Sequence, residues 1–206
     1  MLLVALTGGI ATGKSVVAEI LGQLGCYIHE ADEVAHQLME PEKPAWKSIV
    51  THFGTHILNQ DKTINRNKLG SIVFSDTKER LHLNSILHPL VMEEKKQIIK
   101  KLRAEGTYKI FVSVAALTVE AGFVEFFDKI VVVYCDRETQ LKRLMERDNL
   151  TQKEAQKKIL SQIPSEDKLK IADYIINTYG SIKQTVEQTE QIYRSLMLDY
   201  QLKYSA

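Results

Sequence analysis

Leu2-Leu3-Val4-Ala5-Leu6-Thr7-Gly8-Gly9-Ile10-Ala11-Thr12-Gly13-Lys14-Ser15-Val16 is the stretch whose reading decides the fold. Five apolar residues lead into it, and apolar residues at helical spacing follow from Val16 to Leu24. Between them Gly8, Gly13, Lys14 and Ser15 satisfy G-x-x-x-x-G-K-[ST], the spacing of a phosphate-binding loop. A strand is expected to end near Leu6 and a helix to begin near Lys14. The loop between them must curl around an anion with no side chain in the way, which Gly8, Gly9 and Gly13 permit. Its N–H groups turn inward, and the helix start adds the positive end of its dipole. Lys14 reaches the outer phosphates as a point charge, and Ser15 offers a hydroxyl to Mg²⁺. The plain alternative is a chance match in a glycine-rich turn, and the flanking strand and helix patterns argue against it.

Such a loop says that a nucleotide binds, not what becomes of it. Size and composition narrow the choice. At 206 residues the chain makes one domain, or one core with insertions. With 44% hydrophobic and 26% charged residues it reads as an ordinary soluble globular protein. A net charge of +1 gives no overall pull toward nucleic acid or an anionic membrane. Lys95, Lys96, Lys100, Lys101 and Arg103 do cluster, but on a helical pattern mixed with Glu, as a solvated face would. Cys26 and Cys135 sit in apolar strand-like runs, with no C-x-x-C pair or zinc-ligand spacing, so buried free thiols are expected. The chain enters its first strand directly and has no apolar run of membrane-spanning length, so a cytoplasmic protein without a signal peptide is expected.

Downstream, Gly25 ends the first helix, and Cys26–His29 reads as a short strand leading to Glu30-Ala31-Asp32. In an open parallel sheet, functional groups gather beyond the carboxyl ends of strands, so Asp32 belongs on the rim that carries the phosphate loop. There its carboxylate can accept the proton of an attacking hydroxyl or hold a metal through water. It can also simply cap a helix beginning at Glu33, and the uses are compatible. From Glu33 to about Gly106 the chain reads as a helical insertion, punctuated by Pro41 and Pro44, with a polar, turn-rich Asn59–Asn67. His88-Pro89 falls inside a helical run, where proline should kink or restart the helix.

Tyr108–Val114 and the continuously apolar Lys129–Cys135 read as buried strands, and Ala172–Asn177 as a last short one. Between them Asp136 to Lys170 carries Arg137, Arg143 and Arg147 and a polar helical stretch broken at Pro164. Arg143 and Arg147, four apart, share a helix face. Phosphoryl transfer needs positive charge on the transferring group, often brought by a lid that also excludes water, although a solvated hairpin has the same composition. Ser181–Tyr200 reads as a structural amphipathic helix. The βαβ alternation over five strands gives an α/β, doubly wound parallel sheet with helices on both faces. A regulatory GTPase would need [NT]-K-x-D; the nearest string, Asn67-Lys68-Leu69-Gly70, lacks the aspartate.

Taken together, these blocks resemble the dephospho-CoA kinase family. TGGIATGKS resembles its phosphate loop, with Ala11 where glycine is more usual. EADEVAHQL resembles its D-A-D-x-[IV]-x-H block, with Glu30 for the first aspartate. LGSIVF and LNSILHPLV resemble its paired helical motifs, and QLKRLMERDNL, AQKKILSQ and KLKIADYIIN its lid and closing strand. After the third strand the family often has V-P-L-L-[FLV]-E; here VAALTVEAGF puts Ala115 at the proline and keeps Glu120.

The resemblance implies a P-loop NTPase fold in a single domain. Its core is 1–32, 107–136 and 171–206, with a helical acceptor-binding insertion over 33–106 and a lid over 137–170. It implies phosphorylation of the ribose 3′-hydroxyl of dephospho-CoA by ATP with Mg²⁺. Another small-molecule or nucleoside-monophosphate kinase is the alternative. In this reading Asp32, Lys14 and Arg143 are catalytic. Gly8, Gly9, Ala11, Thr12, Gly13, Lys14, Ser15 and Val16, with Gln140, Arg147 and Asn177, meet the nucleotide, and Ser15 meets the metal. Asp32, Phe74, His88 and Glu120 meet the acceptor. The expected state is a monomer or weak homo-oligomer without nucleic-acid or membrane partners.

Overall fold

The first strand, β1 (Leu2–Gly8), is buried along its whole length, as a strand flanked on both edges and covered on both faces must be. The computed structural model, which describes residues 1–204, places it at the centre of a five-stranded parallel sheet. The other strands are β2 (Tyr27–Glu30), β3 (Ile110–Val114), β4 (Lys129–Tyr134) and β5 (Tyr174–Asn177), in the order β2-β3-β1-β4-β5. The helices are α1 (Lys14–Gln23), α2 (Ala31–Leu38), α3 (Pro44–Phe53), α4 (Arg66–Ser75) and α5 (Thr77–Glu105), then α6 (Arg137–Asp148), α7 (Gln152–Leu160), α8 (Ser165–Leu169) and α9 (Ile182–Tyr204). Among the described residues no helix is long and apolar enough to cross a membrane.

The chain divides into two compact units, one of Met1–Glu30 with the residues from Leu102 onward, the other of Ala31–Lys101. In the first, period-two alternation sends Leu2, Val4 and Leu6 of β1 to the same face as Ile110, Val112 and Val114 of β3. Val17 and Leu21 of α1 and Ile192 and Leu196 of α9 cover that face. Strand order reverses around β1, which has β3 on one side and β4 on the other. The crevice at this switch point lies beyond the carboxyl ends of the strands, where the loop after Gly8 emerges.

The second unit has its own apolar core: Ala45, Ile49 and Phe53 of α3 meet Ile57, Ile64, and Leu69 and Val73 of α4. Pro44 opens α3 at a position where its missing N–H has no helical partner to lose. Asn65 caps α4 by accepting from the Lys68 N–H at 3.0 Å. Pro89 neither breaks nor restarts its helix: α5 runs unbroken for 29 residues with Pro89 inside it. An interior proline costs a helix about 3 kcal/mol. Ile86, Leu87 and Leu90 pack against the apolar core on either side of it, and this tertiary packing offsets the local cost.

Candidate active site

The loop is shaped by backbone geometry that only some residues accept. Gly8 has φ +151°, and a Cβ there would run into the Val133 carbonyl oxygen of the neighbouring strand. Gly13, the residue before α1, sits in the left-handed region at φ 93°. Ala11 is also left-handed, at φ 58°, at the position where the sequence departs from the usual glycine. Its Cβ is under strain there, and its side chain packs with Ile10 on a small lid core of Leu144, Ala155 and Ile159.

Side chains from distant elements fix the loop's polar atoms. The Ile10 N–H donates to Gln162 Oε1 at 2.8 Å, and Gln140 Nε2 donates to the Ile10 carbonyl at 2.8 Å. The Thr12 hydroxyl donates to the Gly9 carbonyl at 2.9 Å. Thr178 Oγ1 donates to the Thr12 carbonyl at 2.6 Å while accepting from Arg143 Nη1 at 3.1 Å. A second bond, Arg143 Nη2 to the Thr178 carbonyl at 2.6 Å, makes the guanidinium grip bidentate. Lys14 Nζ donates to the Gly8 and Gly9 carbonyls at 3.1 and 2.8 Å. Ser15, in the first turn of α1, is exposed. A cavity of about 210 Å³ adjoins the loop, bounded by Gly9, Gln140, Gln162 and Ser165 among others.

The two arginines of α6 part company. Arg143 points at Thr178, whereas Arg147 is exposed and donates through Nε to Asp148 at 2.8 Å. That contact, with Lys158 at 3.0 Å, lowers the Asp148 carboxyl to about 2. Asn177 ends β5, with its backbone N–H and carbonyl bound by the Gln188 side-chain amide. Glu120 pairs with Lys168 Nζ at 2.9 Å, and that lysine, fully buried, also donates to the Ala116 carbonyl at 2.6 Å. Glu120 thereby ties α8 to the loop after β3.

In the second unit, Asp32 is exposed in the first turn of α2. The helix starts at Ala31, one strand residue having shifted to Glu30, so Asp32 is inside the first turn rather than in the capping position before Glu33. One turn along, His36 is half-buried. Burial and the charge of Arg66 push its pKa down, against the opposing pull of Asp32 and Glu33. Burial likewise pushes His88 down. Phe74 is exposed on α4, one turn from Gly70.

Sequence reasoning missed Thr178, Gln162 and Lys168. Thr178 stands just beyond the last strand's carboxyl end, so the strand-end rule that selected Asp32 applies to it too. Gln162 and Lys168 stand in a polar run where nothing in the spacing separates them from solvated neighbours.

A phosphate-loop spacing at the switch point of a parallel sheet is the arrangement that the comparisons with known proteins now place in a family. The family model described as "CoaE: Dephospho-CoA kinase" matches residues 2–184. The chain belongs to the dephospho-CoA kinase family. The dephospho-CoA kinase of Carboxydothermus hydrogenoformans is 44% identical over 186 residues, 90% of each chain. The solved dephospho-CoA kinase from Campylobacter jejuni superposes with a TM-score of 0.68 at 30% identity, over 94% of this chain and 96% of that one. A shikimate kinase from Acinetobacter baumannii shares the fold, with a TM-score of 0.55 at 15% identity over 97% of this chain and 94% of that one. The α/β fold is thus not confined to the family.

Proposed function

We propose that this chain catalyses ATP-dependent phosphorylation of the ribose 3′-hydroxyl of dephospho-CoA, giving coenzyme A and ADP. The observation that carries the reading is the placement of the Lys14 ammonium on the Gly8 and Gly9 carbonyls, inside a loop whose Ile10 and Thr12 carbonyls are held by side chains from distant elements. Loop N–H groups and Lys14 hold the β- and γ-phosphates. Asp32 orients the 3′-hydroxyl and takes its proton as the oxygen attacks phosphorus. The new O–P bond forms as the bond from the γ-phosphorus to the bridging oxygen breaks, and ADP leaves. Lys14 and Arg143 spread the charge that builds on the transferring group. Such a reaction leaves the protein positioning and electrostatics rather than covalent work.

Gln140 serves the nucleotide through Ile10, whose carbonyl it holds. Asn177 and Arg147 flank the nucleotide from the last strand and the lid, and Phe74, His88 and Glu120 border the acceptor. For Mg²⁺, the exposed Ser15 hydroxyl is the oxygen the loop would offer, a donor set that fits an ion arriving with the nucleotide. When bound, the ion neutralises charge on the β- and γ-oxygens. The protein works in the cytoplasm as a monomer or weak homo-oligomer, without nucleic acid or membrane as partner.

ADP release measured across a panel of hydroxyl acceptors tests the assignment. Dephospho-CoA gives the highest kcat/KM; a nucleoside monophosphate or other small acceptor ahead of it moves the protein to the neighbouring kinase class. Asp32→Asn lowers kcat by about 10²–10⁴, the range of a general base, with little change in the KM for ATP. Near-normal turnover in that variant removes Asp32 from the role.

A further inference from the structure

Lys168 carries an ammonium group that water does not reach, on a helix of only five residues, α8. Burying a charge is costly unless oxygen atoms replace its water. Two do so here. Lys168 Nζ donates to the Ala116 carbonyl at 2.6 Å and pairs with Glu120 Oε1 at 2.9 Å.

Each of these oxygens leads, by its own second contact, to the phosphate loop. The Ala116 carbonyl also accepts from the Thr7 hydroxyl at 3.4 Å, and Thr7 is the buried residue just before Gly8. Glu120 Oε1 also accepts from the Ile163 N–H at 3.3 Å. The neighbour of Ile163 is Gln162, whose side-chain oxygen accepts from the Ile10 N–H at 2.8 Å. The turn between α7 and α8 lies directly against the loop, since Ser165 Oγ comes within 3.5 Å of the space a Cβ on Gly9 would fill. The ammonium thus closes a circuit that starts at the end of β1 and returns to Ile10. Without its charge, the Glu120 carboxylate and the Ala116 carbonyl would be left as acceptors with no cation between them. They would draw in water, and the turn that carries Gln162 would move off the loop.

We infer that Lys168 is a positioning residue for phosphoryl transfer: by neutralising Glu120 under the α7–α8 turn, it keeps Gln162 on the Ile10 N–H and the phosphate loop in its receiving shape. The inference rests on the proposed kinase reading and adds to it a buried cation that acts through the loop. Lys14 and Arg143 work on the transferring group; Lys168 works on the backbone that must be in place before that group arrives.

A double-mutant cycle in kcat tests this, with ADP release as the readout and thermal unfolding as the control for the fold. Gln162→Ala leaves the Ile10 N–H without its acceptor and should lower kcat about tenfold. Lys168→Met keeps the approximate volume, removes the charge, and should also lower kcat about tenfold, with the KM for dephospho-CoA unchanged. Because the lysine acts through Gln162, the double variant should be no slower than the slower single one. Should the Met variant fail to fold, Lys168→Gln, which keeps a donor but loses the charge, takes its place with the same expectation. Two results overturn the inference and leave the kinase reading standing. One is effects that multiply to about a hundredfold in the double variant. The other is a lowered melting temperature with kcat intact, which makes Lys168 part of a structural ion pair only. If the wild-type protein forms no ADP from dephospho-CoA, the kinase reading and the inference both fall.

Discussion

The phosphate loop and a cavity of about 410 Å³ in the helical unit are built in opposite ways. Around the loop, side chains hold the backbone in place: Gln140 and Gln162 on Ile10, Thr178 on Thr12, Lys14 on Gly8 and Gly9. Around the cavity, most of the lining is apolar side chain, and its one arginine stands at an exposed helix start. A transferring phosphoryl group needs charge fixed to within a fraction of an ångström, because preorganised donors cost nothing to reorient during the reaction. Damage to the loop should therefore depress kcat.

The sharpest test of that contrast is Lys14→Ala. Removing a cation that follows charge into the transition state should lower kcat by about 10³, with the acceptor KM little changed. A variant that kept its turnover, measured by ADP release, would make the loop a binding element only. Next comes Thr178→Val, nearly isosteric but without the hydroxyl that joins Arg143 to the Thr12 carbonyl. Leaving that buried carbonyl unpaired costs about 1–3 kcal/mol, so kcat should fall by about tenfold or more with the KM for dephospho-CoA unaltered. Thr178→Ser should restore it; failure of that rescue would point to packing rather than the hydroxyl. The smallest effect is expected for Ala11→Gly. Relief of a left-handed alanine, set against the extra freedom glycine gains in the unfolded chain, should raise stability by about 0.5–1 kcal/mol in urea unfolding. A loss of stability would show that the methyl group's packing on the lid core outweighs its strain.

The same contrast explains what could be read from the chain beforehand. Backbone recognition of an anion demands glycines, a lysine and a hydroxyl at fixed offsets, so Gly8 to Ser15 announced itself. The buried strands were visible too, because β3 and β4 are covered on both faces and therefore continuously apolar. The cavity was not visible. Its walls come from Met39, Ile64, Val73 and Leu83, which are scattered along the chain and each at home in any helical core. Pro89 does not restart its helix: α5 continues through it, with Ile86, Leu87 and Leu90 packed around it. The lid arginines looked equivalent by spacing, yet only Arg143 meets a strand-end partner, while Arg147 turns to the adjacent Asp148. Spacing fixes which face a residue occupies and leaves its partner to the tertiary fold.

Lys14 rests against two carbonyl oxygens of the loop. An ammonium in open water carries a tight hydration shell; here folding has replaced some of that shell with protein oxygens. An arriving triphosphate thus meets a cation with fewer waters to strip. The exchange becomes one set of oxygen partners for another.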